Sequence, residues 1–242
     1  MSRYWNNIPE YSQPDAASLK RKAKDSSKRE KSKGKQIEPV IVSGRKLVKS
    51  WWGQAWCDNL EQYADYESRL ERGRSYVRSN TVVDLKIEKG RVLARVQGRR
   101  KTPYKVTIRI SPLSEERCQT IIETCSNRIE NVESLLNGTL PEELMEFFRG
   151  RGGLFPEPRE ISFDCSCPDW ALMCKHVAAV LYGIGVRFDE NPLLFFTLRG
   201  LDVERFVTVT LESRVEKMVK HAEVKSERVI EDADLTKLFG IS

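Results

Sequence analysis

The 242-residue sequence has little histidine and none of the common catalytic histidine motifs. Only two histidines are present, His176 and His221. The chain contains no Gly-x-x-x-x-Gly-Lys-Ser/Thr loop for nucleotide phosphates, no His-Glu-x-x-His motif and no Gly-x-Ser-x-Gly nucleophile elbow. A histidine-dependent triad would therefore have to use one of these two residues. We expect that the protein is not an enzyme and has no catalytic residue.

Long apolar runs are also missing. No stretch approaches the roughly 20 apolar residues that a membrane-spanning helix needs, and Met1-Ser2-Arg3 is not followed by the apolar core of a secretory signal. Six cysteines without such a signal favour a reducing compartment, where thiols stay free for packing or for metal binding. We therefore expect a soluble, cytoplasmic protein that has no membrane partner.

Three of the six cysteines and one of the two histidines lie within twelve positions. They are spaced as Cys165-x-Cys167 and Cys174-x-His176, and three thiolates with one imidazole form a complete tetrahedral ligand set for zinc. Four protein ligands leave no position for an activated water, so such an ion is structural. The alternative is a group of small buried thiols and a core histidine. The sequence predicts one structural Zn²⁺ bound by these four residues.

The two ligand pairs need different backbone conformations. The first pair continues an alternation that is typical of a strand and places both thiolates on one face: Ile161, Phe163, Cys165 and Cys167. Positions two apart in a helix differ by about 200°. We therefore expect Cys174 at or just before a helix start and His176 in the first turn. Gly183 and Gly185 are predicted to end that helix.

This stretch, from Cys165-Ser166-Cys167-Pro168-Asp169-Trp170 to Cys174-Lys175-His176-Val177, resembles the SWIM zinc finger, whose signature is Cys-x-Cys, a variable spacer and Cys-x-His. The chain from about Arg45 to Arg205 is also similar to bacterial SWIM-finger proteins. That wider resemblance is carried by Trp51-Trp52-Gly53, Arg72-Gly73-Arg74-Ser75-Tyr76, and Val96-Gln97-Gly98 followed by Pro103-Tyr104. It implies association with Swi/Snf-type helicase-like ATPases and binding to DNA or to partner proteins.

Four segments are predicted along the chain. Residues 1–40 hold ten basic and five acidic residues with few apolar ones, and are predicted to be a disordered basic arm. Residues 41–155 are predicted to form an α+β domain with a basic antiparallel sheet. The zinc finger follows at 156–190, and a helical segment at 191–242. The predicted fold class is α+β: a small antiparallel sheet with covering helices, then a zinc knuckle of strand, loop and helix, then C-terminal helices.

Periodicity places the elements of the α+β domain. Apolar residues recur at helical spacing within 47–64, whereas 81–88, 92–96 and 104–110 alternate as strands of a meander. The helix carries Trp52, Trp56, Leu60 and Tyr63 on one face. Tryptophans can stack on bases, but at this spacing we interpret them as core. The cysteines outside the finger are interpreted as packing thiols: Cys57, Cys118 and Cys125.

Positive charge is concentrated between residues 69 and 109, which contain thirteen basic and three acidic residues. Two clusters are candidate phosphate-binding residues, one before the first strand and one in a loop of the same sheet: Arg72, Arg74 and Arg78, and Arg99, Arg100 and Lys101. The alternatives are an ordinary solvated sheet face or a docking surface for the acidic remainder of the chain.

Together these features predict a zinc-binding accessory factor that binds nucleic acid and works with a helicase-like ATPase partner. DNA is the expected nucleic acid, although the residues themselves do not distinguish DNA from RNA. The alternative function is a protein-interaction scaffold without direct nucleic-acid contact, in which the basic sheet meets an acidic protein surface.

Overall fold

The computed structural model describes residues 15–128, 145–150 and 153–223. Helices and strands follow one another in the order expected of an α+β fold, with a short 3₁₀ turn at Pro158–Glu160. The elements are α1 (Ala16–Ser32), α2 (Trp51–Glu61), α3 (Glu67–Arg78), β1 (Val82–Glu88), β2 (Arg91–Val96), β3 (Tyr104–Ile110), α4 (Glu115–Arg128), α5 (Met145–Arg149), β4 (Ile161–Cys165), α6 (Lys175–Glu190), α7 (Leu193–Arg199) and α8 (Val203–Glu223). None of the helices in these ranges combines the length and apolar character needed to cross a bilayer.

The four strands form one antiparallel sheet in the order β1-β2-β3-β4. Its register pairs Leu85 with Ala94, and Ala94 in turn with Val106. Alternate residues of β2 and β3 are buried on one face, because the side chains of a strand point to opposite faces in turn. The predicted meander is confirmed. β4 joins it at the edge of β3 and so brings the first cysteine pair to the sheet.

Helix α6 lies at the centre of the core. It packs against α2 and α3 and against the buried face of the sheet, and twelve of its sixteen residues are buried. Two tryptophans of α2 are anchored to its backbone: the indole nitrogen of Trp52 donates to the carbonyl of Phe188 at 2.8 Å, and that of Trp56 donates to the carbonyl of Leu181 at 3.0 Å. Both tryptophans are therefore core residues, as their spacing indicated.

The predicted end of this helix at Gly183 and Gly185 is wrong, because α6 continues to Glu190. These glycines permit close packing instead. A Cβ at position 185 would lie 3.0 Å from the sulfur of Cys57, and one at position 183 would lie 3.1 Å from a methyl group of Leu85. Tertiary packing thus outweighs the weak helix propensity of glycine at both positions.

The prediction of disorder is wrong for residues 16–32, which form α1. The helix is capped by the Asp15 carboxylate, which accepts a hydrogen bond from the amide of Ser18 at 2.6 Å. Four residues at helical spacing are buried against the body of the protein: Leu19, Ala23, Ser26 and Glu30. Residues 1–14 lie outside the described ranges.

Other predictions fall partly or wholly outside the described residues. These concern the helical segments near 129–136 and 233–241 and the side chains of Cys125 and His221. The four-segment division stays a prediction. Within the described ranges, one hydrophobic cluster includes residues from each of the four segments: Leu19, Trp56, Val177 and Phe206.

Candidate metal centre

The structure brings the four predicted ligands together. Cys165 is the last residue of β4, Cys167 follows two residues later, Cys174 precedes α6 and His176 lies in its first turn. Their donor atoms all lie within 4.8 Å of one another. The Nδ1 atom of His176 is 3.9 Å from the sulfur of Cys165 and 3.9 Å from that of Cys174.

Two backbone features create this convergence. The Cys174 backbone is extended (φ −71°, ψ 164°), while its carbonyl already accepts the first helical hydrogen bond from the amide of Ala178. At the other ligand pair, Ser166 is tied to β3 because its amide donates to the carbonyl of Lys105 at 3.0 Å. The chain can therefore turn after β4 while Cys165 and Cys167 stay on the side that faces α6. The predicted helix start at Cys174 is confirmed.

The thiols are electrostatically coupled. The hydrogen bond with Cys165 is the main cause that lowers the pKa of Cys174 to about 3, and His176 lowers it further. The same hydrogen bond, followed by burial, raises the pKa of Cys165 above its usual range. Burial raises the pKa of Cys167. A bound cation would favour the deprotonated form of all three thiols, because it stabilises the negative charge of a thiolate.

This donor set fits zinc. Zinc binds thiolate sulfur at about 2.3 Å and imidazole nitrogen at about 2.0–2.1 Å in tetrahedral sites, which places neighbouring donors about 3.5–3.8 Å apart. The distances from Nδ1 of His176 to the sulfurs of Cys165 and Cys174, 3.9 Å each, lie close to that range, and all four donors lie within 4.8 Å of one another. Four protein donors complete the coordination, so a zinc ion here would be structural and would join β4, the knuckle loop and α6.

The imidazole is held by aromatic rings that the sequence did not indicate. The ring of His176 lies against Tyr104, with centroids 4.3 Å apart, and meets Tyr76 edge-on at 5.5 Å. Its Nε2 atom is buried and has no hydrogen-bond partner within the described ranges. A Cβ at Gly98 would lie 3.1 Å from that nitrogen. These contacts fix the ring so that Nδ1 faces the sulfurs.

The knuckle loop between the ligand pairs, residues 168–173, is tied to the region of α3. Asp169 forms an ion pair with Arg69 at 3.1 Å, and the amide of Leu172 donates to the carboxylate of Asp65 at 3.2 Å. The side chain of Trp170 is nevertheless 83% exposed and that of Leu172 is 78% exposed. The loop is therefore anchored by its polar groups while it presents two large apolar side chains to solvent.

A cleft of about 420 Å³ lies beside the metal centre, and Cys167 and His176 form part of its wall. Four cationic side chains border it, two from α3, one from the loop after β2 and one from the start of α6: Arg69, Arg72, Arg99 and Lys175. Aromatic rings complete the wall: Tyr76, Tyr104 and Trp170. Sequence reasoning missed this cleft because its walls come from four separate segments.

The six predicted phosphate-binding residues have different surroundings. Arg72 and Arg99 border the cleft, and Arg78 is exposed at the end of α3. Arg74 is engaged internally, since it pairs with Glu61 at 2.7 Å and its guanidinium lies 5.4 Å from the ring centre of Tyr182.

The loop cluster faces α1. A second cavity, of about 390 Å³, is bordered by Lys22 and Arg29 of α1 and by the three loop residues: Arg99, Arg100 and Lys101. Lys22 donates to the carbonyl of Arg99 at 3.1 Å, and Arg29 donates to the carbonyl of Lys101 at 2.9 Å. The structure therefore joins the basic loop to the basic helix. A role of these residues in nucleic-acid binding stays a prediction.

Comparison with known proteins agrees with the geometry of the metal centre. Residues 164–183 match the family model of the SWIM zinc finger. Together with the clustered donor atoms, this match shows that the chain contains a SWIM zinc finger with one structural zinc site formed by Cys165, Cys167, Cys174 and His176.

An uncharacterized protein of Mycobacterium tuberculosis, Rv2102, is 38% identical to this chain over 160 residues. The aligned region covers 65% of this chain and 57% of the relative, so the chain spans little more than half of that protein's length. No solved structure matches the chain.

Proposed function

We propose that this chain is a non-enzymatic, nucleic-acid-binding accessory factor, with DNA as its first expected ligand, that works beside a helicase-like ATPase. The observation that carries the proposal is a continuous cationic surface, here called the basic face. It consists of the exposed cations of α1, the 99–101 loop and the cleft beside the zinc finger. Such a surface suits the closely spaced negative charges of a nucleic-acid backbone.

Helix α1 supplies much of this charge. All seven of its cations are exposed: Lys20, Arg21, Lys22, Lys24, Lys28, Arg29 and Lys31. Its buried carboxylate, Glu30, faces inward and pairs with Arg95 at 2.6 Å. Glu30 is thus used to attach the helix, and Asp25 is the exposed acid of α1 that borders the cavity beside the 99–101 loop. Within the described part of the chain, α1 therefore places Lys22 and Arg29 against the 99–101 loop, while its other cations extend the positive charge around the exposed sides of the helix.

The zinc ion has a positioning role in this proposal. It fixes α6 relative to β4 and the knuckle loop, and the start of α6 and the loop supply one wall of the cleft. Its four protein ligands supply no open coordination position for a substrate. The ATPase partner would supply any motor activity. Its involvement is supported by the resemblance of residues 45–205 to SWIM-finger proteins that accompany such ATPases.

The test is the salt dependence of DNA binding. We expect the affinity for a short duplex to fall steeply with salt, and the triple replacement of Arg99, Arg100 and Lys101 by alanine to reduce the slope by about 0.9 for each phosphate that the protein no longer neutralises. The matched control removes three cations from α8: Arg214, Lys217 and Lys220. Fluorescence anisotropy over a series of salt concentrations measures both slopes. Equal changes of the salt slope in the two triple variants would contradict the proposal, as would an affinity that does not depend on salt concentration.

A protein-binding function is favoured by a separate observation on α8. Four apolar residues of this helix are about half exposed and recur at helical spacing: Leu211, Val215, Met218 and Val219. We expect Val215→Glu with Met218→Glu to remove a protein partner while DNA binding persists. Co-purification after nuclease treatment distinguishes the two functions: a partner retained by the wild type and absent from the double variant supports a protein contact through this face.

A further inference from the structure

Trp170 is the most exposed large hydrophobic side chain in the described ranges. It lies in the middle of the knuckle loop, and Tyr66 meets its ring edge-on with centroids 6.2 Å apart. Exposure of a tryptophan to this extent leaves a large apolar surface in water, which is unfavourable for folding. The loop is nonetheless anchored on both sides by Asp169 and by the amide of Leu172. The indole is therefore held in an exposed position.

The cleft next to this indole is cationic. Its acidic residue, Asp169, already pairs with Arg69. Arg72 and Lys175 are half-buried and border the same cleft, and neither forms an ion pair or a hydrogen bond from its side chain within residues 15–128, 145–150 and 153–223. Partly desolvated cations without an internal partner favour an anionic ligand.

From this juxtaposition we propose that the cleft binds a single-stranded segment of nucleic acid, with one base stacked on Trp170 and an adjacent phosphate held by Arg72 and Lys175. The inference rests on the proposed function and specifies the form of the ligand. A cleft of about 420 Å³ falls within the range of pockets that enclose small ligands, about 300–1,000 Å³. It therefore has room for part of a strand but not for a double helix.

The exposed indole is the reason for preferring a single strand. An aromatic side chain can stack on a base only where the base presents its face, and in a duplex those faces are covered by neighbouring base pairs. Phosphate contacts are available from both forms. The 99–101 loop and α1 would therefore bind either form, whereas Trp170 would add affinity for unpaired bases alone.

The experiment compares labelled oligothymidylate and oligouridylate with a DNA duplex of the same length, by anisotropy on the zinc-loaded full chain. Trp170→Ala is expected to weaken single-strand binding about 5- to 150-fold, the range that removal of one stacked aromatic ring gives. Trp170→Phe keeps an aromatic face and is expected to restore part of the affinity. Duplex affinity is expected to be unchanged. Leu172→Ala is the matched control, since that residue is similarly exposed on the same loop but does not border the cleft.

A second readout follows the indole itself. Oligonucleotide should quench part of the intrinsic fluorescence of the wild type, and Trp170→Phe should abolish that part. The DNA and RNA strands in the first experiment distinguish the two sources of an unpaired base.

The outcomes distinguish a failure of the stacking inference at Trp170 from a failure of the proposed nucleic-acid-binding function. Single-strand binding that Trp170→Ala leaves intact, or that Leu172→Ala weakens equally, overturns the stacking inference while nucleic-acid binding stands. Wild-type binding that is equal for strand and duplex also overturns it. If the wild type binds none of the three oligonucleotides, the proposed function itself fails, and the exposed indole is then assigned to a protein contact.

Discussion

The zinc finger and α1 both position the basic face, but they are attached to the protein in different ways. At the finger, four ligand atoms converge within 4.8 Å and the imidazole is enclosed by Tyr76 and Tyr104. Helix α1 is attached by a narrow apolar strip and by polar contacts that include the Glu30–Arg95 ion pair at 2.6 Å. One wall of the basic face thus depends on metal coordination and close packing, and the other on contacts that salt and substitution readily alter.

Under the proposed function, this difference gives the two regions different tasks. Coordination and packing hold Trp170 and the cleft walls in a defined arrangement, which stacking on a base requires. The cations of α1 need no exact arrangement, because phosphate contacts depend mainly on charge and proximity. The comparison predicts that disturbing the finger abolishes the folded arrangement around the cleft, whereas disturbing α1 loosens one element.

The largest effect is expected from removing two zinc ligands. Cys165→Ala combined with Cys174→Ala should abolish zinc binding, because a tetrahedral zinc site in a protein needs at least three protein donors. Loss of the ion removes an apparent contribution of about 10–16 kcal/mol to the folding of its segment. Native mass spectrometry should detect one zinc in the wild type and none in the variant, and the thermal transition should fall or disappear. Cys118→Ala is the control, since this half-buried thiol lies outside the cluster. Zinc retained by the double variant would refute the assignment.

The contribution of packing to the finger is tested at the contact of α3 with α6. A Cβ at Gly73 would lie 2.5 Å from the Cβ of Ala178 and 2.9 Å from its carbonyl carbon. Backbone atoms in the middle of a helix cannot easily move, so we expect Gly73→Ala to destabilise the zinc-loaded protein by about 1–3 kcal/mol or more. Urea unfolding monitored by circular dichroism measures the change.

Gly183→Ala is the matched control for this contact. The new methyl would meet the end of the Leu85 side chain at 3.1 Å, which can shift, and alanine is favoured over glycine in a helix by about 1 kcal/mol. The net change that Gly183→Ala makes in the free energy of unfolding should therefore be small. Equal unfolding midpoints for the two variants would show that zinc alone, without the close approach of α3, maintains this part of the structure.

The sequence predicted the sheet and the metal ligands because both follow from local rules. The recurrence of the apolar residues Val92, Ala94 and Val96 at every second position indicates a strand with one buried face. The spacing of Cys174 and His176 excludes a helix interior for both residues, and this fixed the helix start that the structure shows. Sequence spacing alone was sufficient for these predictions, because the residues that determine each element lie close together in the sequence.

The parts that the sequence did not predict depend on residues far apart. In α1 the inward positions include two polar residues, Ser26 and Glu30, so hydrophobic periodicity is weak and the partner Arg95 lies 65 residues away. Helix α6 continues past Gly183 because of its contact with β1. The cleft is formed by four segments, and no local pattern indicated that Trp170 would stand at its edge.

The smallest effect is expected at the ion pair that attaches α1. Hydrogen bonding from Arg95, and then from Lys35, lowers the pKa of Glu30 to about 2, against an ordinary value of 4.5. A carboxylate whose pKa is lower in the folded state stabilises that state above its unfolded pKa, and this contribution is lost as the pH falls from about 4.5 towards 2. Its contribution should therefore be constant between pH 7 and pH 5.

Replacing this carboxylate should loosen α1 without unfolding the core. We expect Glu30→Gln to raise the amide hydrogen exchange of α1 at pH 7, with the same difference from wild type at pH 5, while α6 stays protected. Asp25→Asn is the control because Asp25 is an exposed acid on the same helix. Added salt should reduce the difference in α1 amide exchange between Glu30→Gln and wild type, since salt weakens the ion pair of the wild type. Equal amide exchange of α1 in all three proteins would mean that the apolar contacts of Leu19 and Ala23 attach the helix without help from the ion pair. Both walls of the basic face would then depend on packing.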